Sequence, residues 1–234
     1  MRARDYRRIV VLTGAGISRS AGLATYRGPG GLWSDREVAA LAQADALRTR
    51  RDDACAMFWR MRRAIAACAP TPAHRALAAF ERAMPADAAL VIVTQNVDGL
   101  HQAAGSRTVV EYHGSVASWT CSRCGVHDTP DATLEATPRH CGEAMRPDAV
   151  LFGEDIPAAA DHAVTRALRD CDLFVAIGTS GTVWPASRFV RGAAYAGAHT
   201  ALFNLEAFDD ARDLYATVET GPADELVPRA FALS

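Results

Sequence analysis

Apolar residues in this chain gather in short unbroken runs: Ile9-Val10-Val11-Leu12, Leu90-Val91-Ile92-Val93, Thr108 to Glu111, Ala149 to Phe152, Leu173 to Ile177 and Thr200 to Leu205. Continuous rather than alternating runs of this length are the pattern of strands buried on both faces. Between them the periodicity is helical. Thr71 as N-cap with Pro72 at the first helical position opens a helix through about Arg82, and Asp155 with Pro157 opens another through about Arg169. Strands alternating with helices predict an α/β fold, a doubly wound parallel sheet covered on each side. Two segments break the rhythm. Residues 35–84 carry helical periodicity alone, and 115–148 are polar, turn-rich and cysteine-bearing. Both read as insertions, packed together as a small lobe on a sheet domain made of 1–34, 85–114 and 149–234.

Composition narrows the classes of partner. Half of the 234 residues are hydrophobic and 22% are charged, enough apolar material for a packed core. A formal net charge of -2 gives no electrostatic argument for nucleic acid or an anionic membrane as a partner. All basic residues are arginine; the compositional bias that also enriches alanine accounts for the missing lysine. The start, Arg2 to Arg8 followed by Ile9 to Leu12, imitates a signal peptide, but its apolar run is shorter than the roughly 7–15 residues of a secretory segment. No run approaches the roughly 18 apolar residues of a membrane span. The expected location is the cytoplasm.

Candidate chemistry sits where strands end. After the first run come Gly14-Ala15-Gly16-Ile17-Ser18, then Tyr26-Arg27-Gly28-Pro29-Gly30-Gly31-Leu32-Trp33. Glycines after a buried strand let the backbone turn tightly and approach a pyrophosphate. The spacing departs from G-x-G-x-x-G, because Arg19 occupies the last glycine's place. Arg27 is a bidentate phosphate donor on the second glycine-rich loop. The second run leads into Thr94-Gln95-Asn96-Val97-Asp98-Gly99-Leu100-His101, placing two amides and a carboxylate at a strand's carboxyl end, where the ligand crevice of a parallel sheet lies. Capping of the next helix by Asn96 or Asp98 is the alternative. His113, at the end of another strand, is a general-base candidate if it converges on Asn96 and Asp98.

As a set these residues resemble the sirtuin family of NAD-dependent protein lysine deacylases. The ordered motifs span nearly the whole chain: GAGIS at 14–18, YRGPGGLW at 26–33, TQNVDGLH at 94–101, HGS at 113–115, FGE at 152–154, GTS at 178–180, NLE at 204–206 and GPA at 221–223. The resemblance implies a Rossmann-like NAD-binding domain with a smaller helical and zinc-binding lobe. It implies that Gly14, Ala15, Gly16, Ile17, Ser18, Tyr26, Arg27 and Trp33 hold the pyrophosphate and cover the nicotinamide ribose. Gln95, Asn96, Val97 and Asp98 would line the ribose and nicotinamide pocket, and Gly178, Thr179, Ser180, Asn204, Leu205, Glu206 and Ala223 the adenosine half. His113 matches the catalytic base. In the family's chemistry the acyl oxygen of an acyl-lysine attacks the ribose as nicotinamide leaves, yielding free lysine and O-acyl-ADP-ribose. Asn96 and Asp98 would assist the departure. The competing activities are an NAD glycohydrolase or ADP-ribosyltransferase on the same scaffold, a deacylase of a small acylated amine, and a non-enzymatic NAD-binding sensor.

Two features bear on specificity and stability. Phe58-Trp59-Arg60-Met61-Arg62-Arg63, aligned on Pro70 and His74 with one residue of slack, resembles the segment of desuccinylase-type sirtuins that binds an acidic acyl chain; Trp59 and Arg62 would be the pair. An ordinary amphipathic helix, with Trp59 in the core, is the alternative. Cys121 and Cys124, followed by Cys141 after 16 intervening residues, resemble the family's structural zinc module, which normally has two cysteine pairs. The fourth ligand is open between His140, sterically awkward beside Cys141, and His127; free thiols without zinc are the alternative.

Overall fold

The computed structural model describes residues 1–23, 31, 35–181 and 183–233. Its strands, in chain order, are β1 (Arg8–Thr13), β2 (Ala89–Thr94), β3 (Val109–Glu111), β4 (Gly114–Thr120), β5 (His127–Asp128), β6 (Arg139–His140), β7 (Glu143–Ala144), β8 (Arg146–Ala149), β9 (Leu173–Ile177), β10 (His199–Asn204) and β11 (Thr217–Thr220). Six form one sheet in the order β11-β10-β9-β1-β2-β3, and every pairing in it is parallel. The reversal of strand order beside β1 is the switch point at which doubly wound sheets open a crevice.

The unbroken apolar runs follow from burial on both sides. Ile9 and Val11 pack into one hydrophobic cluster with the helices Pro72–Ala83 and Ala223–Ala230, while Val10 and Leu12 pack into another with the helices Ala158–Arg169 and Phe189–Tyr195. Because successive side chains point to opposite faces, both parities must be apolar. Thr71 caps the helix Pro72–Ala83 and His74 reciprocates through the Thr71 backbone N–H at 3.2 Å, a capping box with histidine in the usual glutamate's place. The helix Ala158–Arg169 begins at Pro157 without a side-chain cap, so Asp155 is not its N-cap.

One strand differs from expectation. The run Ala149 to Phe152 does not join the parallel sheet: β8 ends at Ala149 and pairs antiparallel with β4 in a small sheet with β5. The sixth parallel strand is β11, Thr217-Val218-Glu219-Thr220. As an edge strand, half-buried and mostly polar, it carries no apolar run to betray it.

A third hydrophobic cluster joins the two irregular segments. Phe58, Trp59 and Ile65 of the helix Arg51–Ala66 pack with Val116, Trp119, Ala144 and Met145. No helix among the described residues is long and apolar enough to cross a membrane.

Candidate active site

A cavity of about 1550 Å³ opens along the carboxyl ends of the parallel strands and extends beneath the third cluster. Single small-molecule sites occupy roughly 300–1,000 Å³, so this one has room for two substrates. Gly14, Ala15, Gly16, Gln95, Asn96, Val97, His113, Gly178, Thr179, Ser180, Asn204, Leu205, Glu206 and Ala223 all stand on its wall. Tyr26, Arg27 and Trp33 lie outside the described residues.

The glycines are there because two turns cross in contact. A Cβ on Gly16 would meet the Gly178 Cα at 2.5 Å, and one on Gly14 the Gly178 oxygen at 2.7 Å. Gly178 itself has φ +60, a conformation that favours glycine. The crossing is sealed by Gly16 N–H donating to the Gly178 carbonyl at 2.9 Å. From this seam the polar groups fan out: Gln95 Nε2 donates to Thr179 Oγ1 at 3.1 Å, and Asn204 Nδ2 to the Thr179 carbonyl at 3.1 Å.

Asn96 is held by its amide nitrogen, which donates to the Gly14 carbonyl at 3.1 Å and to Ser18 Oγ at 3.3 Å. Its Oδ1 is buried and without a partner among the described residues. A buried acceptor left unsatisfied is costly; a hydrogen-bond donor on a ligand in the cavity would satisfy it. Ser18 in turn donates to Asp98 Oδ2 at 2.7 Å, and Leu100 N–H donates to Asp98 Oδ1 at 3.0 Å. Ile17, Ser18 and Asp98 are not among the residues lining the cavity: Ile17 is a core residue, and Asp98 is linked to Asn96 through Ser18.

His113 lies on the wall with its Nδ1 at 3.1 Å from the Gln95 carbonyl. That contact makes Nδ1 the protonated nitrogen and leaves Nε2, which has no partner among the described residues, as the free base. Burial lowers its pKa, against the raising effect of the Gln95 carbonyl, so the ring is neutral at physiological pH.

The helix Arg51–Ala66 presents Phe58 and Met61 to the cavity. Trp59 and Arg62, one residue on, are turned about 100° away. Trp59 is 2% exposed, stacks edge-on against Trp119 with centroids 5.3 Å apart, and donates its indole N–H to the Leu134 carbonyl at 3.1 Å. Arg62 is not among the residues lining the cavity; its Nε is buried without a hydrogen-bond partner among the described residues, and its charge adds to the lowering of the Asp131 carboxyl's pKa, which the Thr133 backbone N–H dominates. The structure thus does not bring Trp59 and Arg62 to the cavity. An alignment with a residue of slack leaves helix phase undetermined by the same 100°, and nothing else in the sequence signals Phe58 and Met61.

The cysteine module has a complete donor set. Ligand atoms of Cys121, Cys124, His140 and Cys141 all lie within 4.8 Å of one another, with His140 Nδ1 at 3.3 Å from the Cys124 sulfur and 3.2 Å from that of Cys141. His127 is engaged elsewhere, with Thr120 and Asp148. Adjacency is not an obstacle, because β6 and β7 are joined through Cys141 (φ 50) and Gly142 (φ 83), the paired positive φ of a tight type I′ hairpin. That turn swings two neighbouring side chains onto one centre. Three thiols and one imidazole gathered this closely suit structural zinc.

The Sir2 family profile matches residues 14–185. The chain belongs to the Sir2 family. It is 41% identical over 230 residues to the NAD-dependent protein deacylase 2 of Pyrobaculum aerophilum, covering 95% of this chain and 89% of the relative. It is 40% identical to the NAD-dependent protein deacylase of Pasteurella multocida, covering 96% and 97%. Among solved structures, a Sir2 homologue in complex with NAD superposes with a TM-score of 0.85 at 27% identity, over 97% of this chain and 89% of the homologue. A mutant Sir2 homologue in complex with 2'-O-acetyl ADP ribose gives 0.86 at 28%, over 97% and 92%.

Proposed function

We propose that this sirtuin is an NAD-dependent protein deacylase whose acyl pocket takes a neutral chain, acetyl or longer, in preference to succinyl. The observation that carries the activity is the placement of a neutral His113 and the unsatisfied Asn96 Oδ1 on one cavity wall at the sheet's switch point. Its acyl preference rests on Phe58 and Met61; among the described residues, the wall on their side offers no cation with which to receive a carboxylate.

NAD, as co-substrate, supplies the ribose carbon that accepts the acyl oxygen. The residues of this chain do the rest. Gly14, Gly16 and Gly178 let the backbone approach closely, and Gln95, Thr179 and Asn204 form the tied network on the adenosine side. Asn96, locked by Gly14 and Ser18, offers Oδ1 to the departing amide, with Asp98 fixing Ser18 from behind. His113 Nε2 takes the proton of a ribose hydroxyl, a role its neutral state allows at pH 7. Phe58, Met61, Leu151 and Val183 wall the acyl end with apolar surface, which excludes the water that would hydrolyse the ribose bond unproductively.

In this reading the NAD-binding domain comprises 1–34, 85–114 and 149–234, and the lobe comprises 35–84 and 115–148. The acyl-lysine of a peptide or protein enters between them. The cluster thiols suit a reducing compartment, consistent with a cytoplasmic enzyme.

Incubation with NAD and acetyl-, butyryl- and succinyl-lysine peptides tests the reading. Expected products are free lysine peptide, nicotinamide and O-acyl-ADP-ribose, formed faster from the two neutral peptides. Nicotinamide and ADP-ribose released without peptide turnover would identify a glycohydrolase instead, and preferential turnover of succinyl-lysine would overturn the acyl assignment.

A further inference from the structure

The glycine turn that approaches the dinucleotide has already spent most of its donors. Gly14 N–H donates to the Ile177 carbonyl at 3.0 Å, Gly16 N–H to Gly178 at 2.9 Å, and Ile17 N–H to Gly14 at 3.2 Å. A pyrophosphate lying against this turn gains a close approach but few free backbone amides. Apart from Arg19, the charged side chains on the cavity wall among the described residues are acidic: Asp155, Glu206 and Asp224, with Glu154 already paired with Arg146. Two negative phosphates in such surroundings require a cation.

Arg19 is the one arginine on the described part of that wall. It occupies the place where the dinucleotide fingerprint has its last glycine. The segment Ala15–Ala21 is a 3₁₀ helix, in which residues three apart eclipse one another. Gly16 and Arg19 therefore share a face, with Cα atoms about 6 Å apart along the axis at roughly 2 Å of rise per residue. It is the face on which Gly16 meets Gly178. The Arg19 side chain is exposed and pairs with no carboxylate among the described residues.

We infer that Arg19 binds the pyrophosphate of the dinucleotide, its guanidinium supplying the charge-assisted hydrogen bonds that the tightly bonded glycine turn does not. The assignment rests on the cavity's binding NAD and is independent of Arg27. A guanidinium matches phosphate oxygens bidentately, which an ammonium does not.

Calorimetric titration of the full chain with ADP-ribose and, separately, with adenosine separates the possibilities. Arg19→Ala is expected to weaken ADP-ribose binding by about 10-fold or more, Arg19→Glu further, and both to leave adenosine binding unchanged. The wild-type affinity for ADP-ribose should also fall more steeply with salt than that of Arg19→Ala. An exposed side chain leaves the fold intact, which an unchanged melting temperature checks; Arg19→Gln provides a second neutral variant. Equal ADP-ribose affinity in wild type and variants would overturn the role of Arg19 alone. Failure of the wild-type protein to bind ADP-ribose would overturn the NAD site and Arg19 with it.

Discussion

His113 keeps one ring nitrogen on the Gln95 carbonyl and the other free at the cavity, and burial lowers its proton affinity. The acid limb of deacylation against pH should therefore have its midpoint below the ordinary histidine value of about 6.5. A midpoint at or above that value would remove His113 as the base, as would an active His113→Ala variant that still binds NAD. His74 and His101 have a different task. Their rings meet edge-on at 4.6 Å, both are fully buried, and each has a ring nitrogen without a partner among the described residues. Burial holds His74 down to about 4 and His101 well below the usual value. Folded values lie below the unfolded ones, so below pH 6.5 the unfolded chain binds more protons. Stability is complete above that pH and declines as pH falls toward 4. From His74 alone the loss reaches roughly 3 kcal/mol near pH 4. Urea denaturation at pH 7 and pH 5 checks this: the difference should shrink in His74→Asn, and an unchanged difference would exclude the buried pair as its source.

At the scale of elements, one helix and one hairpin decide what the sequence leaves open. Residues Phe58 and Met61 take the cavity side of the helix Arg51–Ala66 because Trp59 is committed to Trp119 and the Leu134 carbonyl. Arg62→Ala should then slow acetyl- and succinyl-lysine turnover equally, while Met61→Arg, placing a fork on the wall, should raise succinyl turnover relative to acetyl. A selective loss of succinyl activity in Arg62→Ala would restore Arg62 to the acyl site. The hairpin of β6 and β7 brings His140 and Cys141 to one centre through a Cys141 backbone that costs about 1 kcal/mol in the left-handed region. A bound metal offsets that cost. His140→Ala should weaken zinc binding more than about 10-fold, with His127→Ala retaining one equivalent; the reverse order would move the fourth ligand to His127. What was legible in advance follows from this. Buried strands such as β1 and β9, and polar residues such as Asn96 and His113 at strand ends, declare themselves by composition. Edge strand β11, the helix phase at Trp59 and the turn at Cys141 do not, because tertiary packing and backbone sign set them.

For the whole molecule, the zinc module and the cavity are mechanically linked through the same helix. Arg51 donates to the Ala144 carbonyl at 2.9 Å and to Ser122 Oγ at 2.8 Å, Arg139 pairs with Asp52 at 3.0 Å, and Trp59 reaches Leu134. These contacts tie residues flanking the cysteines to the helix that carries Phe58 and Met61. The parallel sheet packs in the other two hydrophobic clusters, and among the described residues the nucleotide side meets the third cluster chiefly at Val97, whose carbonyl accepts from Val116 N–H at 3.2 Å. Removing zinc should therefore loosen the acyl wall and spare the nucleotide side. With a chelator, KM for an acetyl-lysine peptide is expected to rise while the affinity for ADP-ribose stays unchanged, and readdition of zinc should restore KM in wild type but not in His140→Ala. Parallel loss of both affinities would mean that the module supports the entire fold rather than one wall of the cavity.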